Sequence, residues 1–181
     1  MQATRCNMSV HLIIDGYNLI RQSTALGRID AADIQEGRDA LLRLLAIYRK
    51  LKRHRITVVF DGMDAAWGTP NRDQFQGITV VFSRQGESAD QVIKGMGAAM
   101  QEKAMVVTSD REIIASAQRS GCGVISASDF EEKLRMASLL DSGGGASEDD
   151  SEGWAATTRK KGPSRRLPKK QRQLQRKQKK L

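Results

Sequence analysis

The chain has 181 residues, of which 39% are apolar, enough for a packed core and too many for wholesale disorder. Lysine and arginine outnumber aspartate and glutamate 30 to 21, and the formal net charge is +9. Two histidines and two distant cysteines exclude multi-histidine catalysis, a zinc site and a disulfide framework, so a reducing cytoplasm is the expected compartment.

The charge is segregated. Residues 159–181 hold 12 cations and no acid, which leaves 18 basic and 21 acidic residues in positions 1–158, a balance of −3. The expected organisation is an extension over residues 1–7, a domain over 8–140, a flexible acidic linker over 141–158 and a basic tail over 159–181. No apolar run approaches the roughly 18–20 residues of a membrane span, and residues 1–10 lack the apolar stretch of a secretory signal.

In chain order, Val10–Ile14 is an apolar run that predicts a buried strand closed by an Asp15-Gly16 turn. Apolar residues at 34, 41, 44, 45, 48 and 51 predict a long amphipathic helix ending in a basic cluster. Residues 56–60 read as a second strand, again followed by Asp-Gly. Residues 64–76, with Trp67, Pro70 and Asn71, read as an irregular loop. A third strand is expected over 78–82, with a capping box at Ser88-x-x-Gln91 opening a helix to about Lys103. Residues 105–108 form the fourth strand, and Ser109-x-x-Glu112 is read as a second box. Gly121 is placed to end that helix. A fifth strand at 124–126 and a helix capped by Ser128-x-x-Glu131 complete the pattern. Apolar strands alternating with helices predict an α/β fold: a mainly parallel five-stranded sheet covered on both faces.

In such sheets ligands bind beyond the carboxyl ends of the strands. Asp15, Asp61 and Asp110 follow strands one, two and four, and Glu87 and Asp90 open the helix after strand three. Five carboxylates at one edge repel one another, and a hard divalent ion, Mg2+ or Mn2+, relieves that repulsion. Taken singly, Asp61-Gly62 reads equally well as turn chemistry, and Asp90 or Asp110 as an offset to a helix dipole. Neither explains the convergence, so a metal site that activates water for phosphodiester hydrolysis is favoured. Gly95-x-Gly97 falls inside a helix and fails as a dinucleotide fingerprint, so no nucleotide cofactor is expected. Trp67 and Phe75 suit either base stacking or a local apolar cluster.

Four segments carry a family resemblance in order: Ile13-Ile14-Asp15-Gly16-Tyr17-Asn18-Leu19-Ile20, Val58-Val59-Phe60-Asp61-Gly62, Phe82-Ser83 with Gly86-Glu87-Ser88-Ala89-Asp90, and Val106-Val107-Thr108-Ser109-Asp110. Over residues 8–140 the chain resembles the NYN domain, in the bacterial YacP-like branch of the PIN-type ribonucleases. The Gly162–Arg166 segment resembles that family's basic end. The resemblance implies a PIN-like fold and metal-dependent cleavage of RNA, with messenger RNA on the ribosome as an expected setting. Carried over by motif, Asp15, Asp90 and Asp110 would hold the metal, with Asn18 orienting water or phosphate. Asp61 and Glu87 stand second, and Ser109 and Arg84 would contact phosphate or support those that do. For the further acid that many PIN nucleases carry on an early helix, the sequence offers Glu36 or Asp39.

The tail is an electrostatic footprint for a polyanion, with Arg159, Lys160, Lys161, Arg165, Arg166, Lys169 and Lys170 as expected RNA contacts. Two further readings stay open: a non-catalytic RNA-binding or ribosome-associated factor, and a nuclease acting on DNA.

Overall fold

A computed structural model describes residues 10–62 and 71–142. Trp67, residues 143–158 of the expected linker and the tail cations named above lie outside the described residues, while Asp141 and Ser142, expected in the linker, close the last described helix. Strand β1 (His11–Asp15) leads into helices α1 (Gly16–Gln22), α2 (Thr24–Ala32) and α3 (Ile34–Lys52), then β2 (Arg55–Phe60). A hairpin of β3 (Arg72–Phe75) and β4 (Ile78–Phe82) precedes α4 (Ala89–Met100), a 3-10 turn over Gln101–Lys103 and β5 (Ala104–Val107). Then come α5 (Arg111–Arg119), β6 (Gly123–Ile125) and α6 (Ala127–Ser142). None of the helices among the described residues is long and apolar enough to cross a membrane.

The α/β expectation holds, with one strand more than the five expected. The order is β3-β4-β2-β1-β5-β6, and every pairing is parallel except β3 with β4. Side-chain alternation gives the sheet two apolar faces. Leu12, Ile14, Val58, Phe60, Met105 and Val107 join the core shared with α1, α3 and α6. Ile13, Val59 and Val106 join Ile93 of α4 and Ile113 of α5 on the other side.

Four local readings need correction. Residues 72–75 are an edge strand, not loop: Gln76 and Gly77, at φ 46° and 78°, supply the two left-handed positions of a tight hairpin. Phe75 is partly buried and packs against the main core. After β1 there is no separate turn, because the Asp15 carboxylate caps α1 directly. The α5 cap is Asp110 and not Ser109, its Oδ1 accepting from the backbone N–H groups of Glu112 (2.8 Å) and Ile113 (3.1 Å). At α6 the Ser126 hydroxyl accepts from Asp129 N–H at 3.1 Å, in place of the expected Ser128 cap. The Ser88–Gln91 capping box is present as expected.

Candidate active site

The strands β4-β2-β1-β5-β6 run 3-2-1-4-5 among the parallel strands. The chain order therefore reverses between β1 and β5, where ligands enter doubly wound sheets. Asp15 ends β1 at this point, and Thr108 follows β5. Both continue the alternation of Ile13 and Val106, so both belong to the face covered by α4 and α5.

Asp15 is 9% exposed. Its Oδ1 accepts from Asn18 N–H at 3.1 Å, and its Oδ2 accepts from the Thr108 hydroxyl at 3.2 Å. The Thr108 oxygen in turn accepts from Asp110 N–H at 3.1 Å, joining the two aspartates through one buried hydroxyl. The Asn18 side-chain oxygen accepts from Ser109 N–H at 2.9 Å, and the Ser109 hydroxyl accepts from Ala127 N–H at 3.2 Å. The starts of α1, α5 and α6 are thus laced together by residues 15, 18, 108, 109 and 110.

Burial pushes the Asp15 carboxyl above its ordinary value, and the nearby Asp90 and Asp110 carboxylates push it further. The Asn18 and Thr108 hydrogen bonds oppose them. Asp90 lies one turn before Ile93, the α4 residue packed onto β1's neighbours, so it shares the face that looks toward the sheet. The two ion pairs found among the described residues, Arg43–Glu36 and Lys94–Glu112, involve none of these three acids.

Asp61, just past β2, is half-buried and accepts from the Ser83 hydroxyl at 3.4 Å, while Gly62 N–H donates to the same hydroxyl at 2.9 Å. A side chain at Gly62 would meet the Ser83 carbonyl at 1.9 Å, so only glycine allows β2 and β4 to close here. Arg84 and Glu87 are exposed, on a turn in which Glu87 N–H donates to the Arg84 carbonyl at 2.9 Å. Of the early-helix acids, Glu36 pairs with Arg43 at 3.1 Å and Asp39 accepts from the Gln35 amide at 3.1 Å. Neither joins the Asp15 network.

Sequence reasoning missed Thr108. It reads as the polar end of an apolar run, and only the approach of β1 to β5 gives its hydroxyl two partners. Ser83 was legible as part of a motif but not as the partner of Asp61.

The donor set is all oxygen, as hard divalent ions prefer. A buried carboxylate with two like charges beside it is what a cation would relieve. As placed, no three His, Cys, Asp or Glu side chains among the described residues stand close enough to hold an ion together. The residue types suit a hard divalent ion, but as placed Asp15, Asp90 and Asp110 do not close around a common point.

The family described as the YacP-like NYN domain matches residues 12–178. Over 102 residues, 55% of this chain, the sequence is 31% identical to the uncharacterized protein YacP of Bacillus subtilis strain 168, and the match spans 59% of that protein's length. The fold is similar to the crystal structure of Rae1 (YacP) from Bacillus subtilis, with a TM-score of 0.61 and 26% identity, covering 72% of this chain and 76% of that one. A point mutant of the same protein gives a TM-score of 0.59 at 27% identity, covering 74% of this chain and 77% of the mutant. The sheet and its helices are the PIN-like α/β arrangement of these relatives. The chain belongs to the YacP-like NYN domain family.

Proposed function

We propose that this protein is a metal-dependent endoribonuclease that hydrolyses RNA phosphodiester bonds through a carboxylate-held Mg2+ or Mn2+. The NYN domain is a nuclease-like, PIN-type domain, which supports hydrolysis and RNA as the substrate class. The observation that carries the reading is the buried Asp15 carboxylate with Asp90 and Asp110 beside it at the reversal point of the sheet.

Asp15, Asp90 and Asp110 are the residues that would hold the ion. When bound, such an ion activates water and offsets the charge that builds on the phosphodiester. The Asn18 and Thr108 hydrogen bonds hold Asp15 in one orientation and favour its ionised form. Asp110 is held through Oδ1 by the first turn of α5, while Asn18, fixed through its oxygen, offers its side-chain N–H groups to a phosphate oxygen. Water adds to phosphorus, an ester P–O bond breaks, and the departing sugar oxygen takes up a proton. No covalent enzyme intermediate forms. Asp61 and Glu87 adjust the charge of the edge, and Ser109 and Arg84 support the phosphate. In this reading the protein acts in the cytoplasm, its basic tail holds RNA without reading sequence, and the ribosome presents the message.

A second reading, a non-catalytic RNA-binding or ribosome-associated factor, draws on the capping roles of Asp15 and Asp110, which give both acids a structural reason to exist. Cleavage assays separate the two. RNA incubated with the protein and Mn2+ is cut, and EDTA or Asp90→Asn abolishes the cut. Cleavage that survives EDTA contradicts the metal mechanism. Failure to cut either free RNA or ribosome-bound messages favours the binding factor.

A further inference from the structure

A cleft of about 850 Å3 runs between the end of α3, strand β6 and the length of α6, and none of Asp15, Asp90 and Asp110 lines it. Its apolar lining includes Tyr48, Leu51, Met136 and Leu140. Leu51, Met136 and Leu140 are 46%, 51% and 69% exposed, and Leu139 beside them is also exposed. An apolar patch of this kind on a domain surface marks something that covers it.

We infer that the cleft is the docking site of this chain's own Trp154. Three observations name that occupant. The first is reach: α6 lines the cleft and ends at Ser142, and the 11 residues between Ser142 and Trp154 span up to roughly 40 Å when extended. The stripe of α6 that lines the cleft, from Asp129 to Leu140, is only about 16 Å long. Trp154 is also the one large apolar side chain between Ser142 and Leu167, and the family match continues through residue 178, past the end of α6.

The second observation is charge. The intervening segment carries Glu148, Asp149, Asp150 and Glu152; Lys52 lines the cleft, and Lys50 and Arg53 flank it in sequence at the end of α3, while Arg49 donates to the Gln76 carbonyl of the hairpin. The third is shape and chemistry: the lining is apolar at Leu51, Met136 and Leu140, which suits an indole, and its Lys52 and Lys133 are offset by Asp129 and Glu132. Docking at Trp154 would launch the basic tail, which begins five residues later, from the cationic end of α3. The RNA-binding surface would then be continuous, and not a charge on a loose tether. The inference stands whether or not the protein cleaves RNA.

The test uses the full-length chain carrying Trp67→Phe, so that Trp154 alone reports. Docking predicts blue-shifted emission and slow acrylamide quenching, at a level independent of protein concentration. Leu140→Lys and Met136→Lys, both at exposed positions, shift the emission to the red and speed quenching with circular dichroism unchanged. Water-exposed emission in the unmutated-cleft protein overturns the inference. A blue shift that fades on dilution overturns it too, and assigns the cleft to a second copy of the chain.

Discussion

At Asp15 two effects compete. Burial and the Asp90 and Asp110 carboxylates disfavour the charged form, and two hydrogen bonds favour it; the balance leaves the proton held more tightly than usual. A raised pKa in the native state means that the folded protein binds this proton better than the unfolded chain. Stability therefore falls as pH rises past the ordinary aspartate value of 3.8. In EDTA, Asp15→Asn should be more stable than the parent at neutral pH, and chemical denaturation should show the gap closing once the medium falls below that value. Thr108 invites the opposite test. Thr108→Val removes the donor to Asp15 and the acceptor for Asp110 N–H, and should cost about 1–3 kcal/mol in urea unfolding, while Thr108→Ser retains most of the stability. As candidates, Asp15 and Asp110 stand out because acids after apolar strands are conspicuous, and Asp90 because it follows a capping serine in the first turn of α4. Thr108 does not, because a threonine after two valines looks like the fraying end of a strand.

Among the elements, legibility tracked burial. The central strands announce themselves by uninterrupted Val, Ile and Leu, whereas β3 is an exposed edge of Arg72, Asp73, Gln74 and Phe75 that pairs on one side only. Its turn uses Gln76-Gly77 where Asn-Gly is the usual signal. The helix starts misled for a different reason. Asp15 and Asp110 belong to residue types that serve turns and caps equally, and tertiary contacts decide between Ser109 and Asp110. Once Ser109 turns to Ala127, the cap of α5 falls to its neighbour. The junction between β1 and α1 depends on close approach: a side chain at Gly16 would lie 2.3 Å from the Phe60 ring. That ring is fully buried, with Tyr17 edge-on at 5.3 Å and Phe82 stacked at 5.8 Å, so it has nowhere to retreat. Gly16→Ala should cost about 1–3 kcal/mol by thermal unfolding, and it should disturb Asp15 and Asn18 more than Asp61.

For the molecule as a whole, the topology does what no single motif does. Five parallel strands bring residues 15, 61, 90 and 110 to one edge, and the reversal between β1 and β5 opens that edge to a ligand. Residues 159–181 add 12 cations and no acid. Removing residues 159–181 should weaken RNA binding and flatten its dependence on salt, while cleavage of short oligomers by the remaining domain persists; affinity that is unchanged at low and high salt contradicts this role. Whether these acids hold an ion is decided by calorimetric titration of Mn2+ into the metal-free protein. Saturable binding by the parent chain is expected, and Asp15→Asn, Asp90→Asn and Asp110→Asn should each abolish it or weaken it at least about tenfold, a loss of roughly 1.4 kcal/mol or more per variant. Binding of equal strength in the parent and all three variants would contradict that expectation.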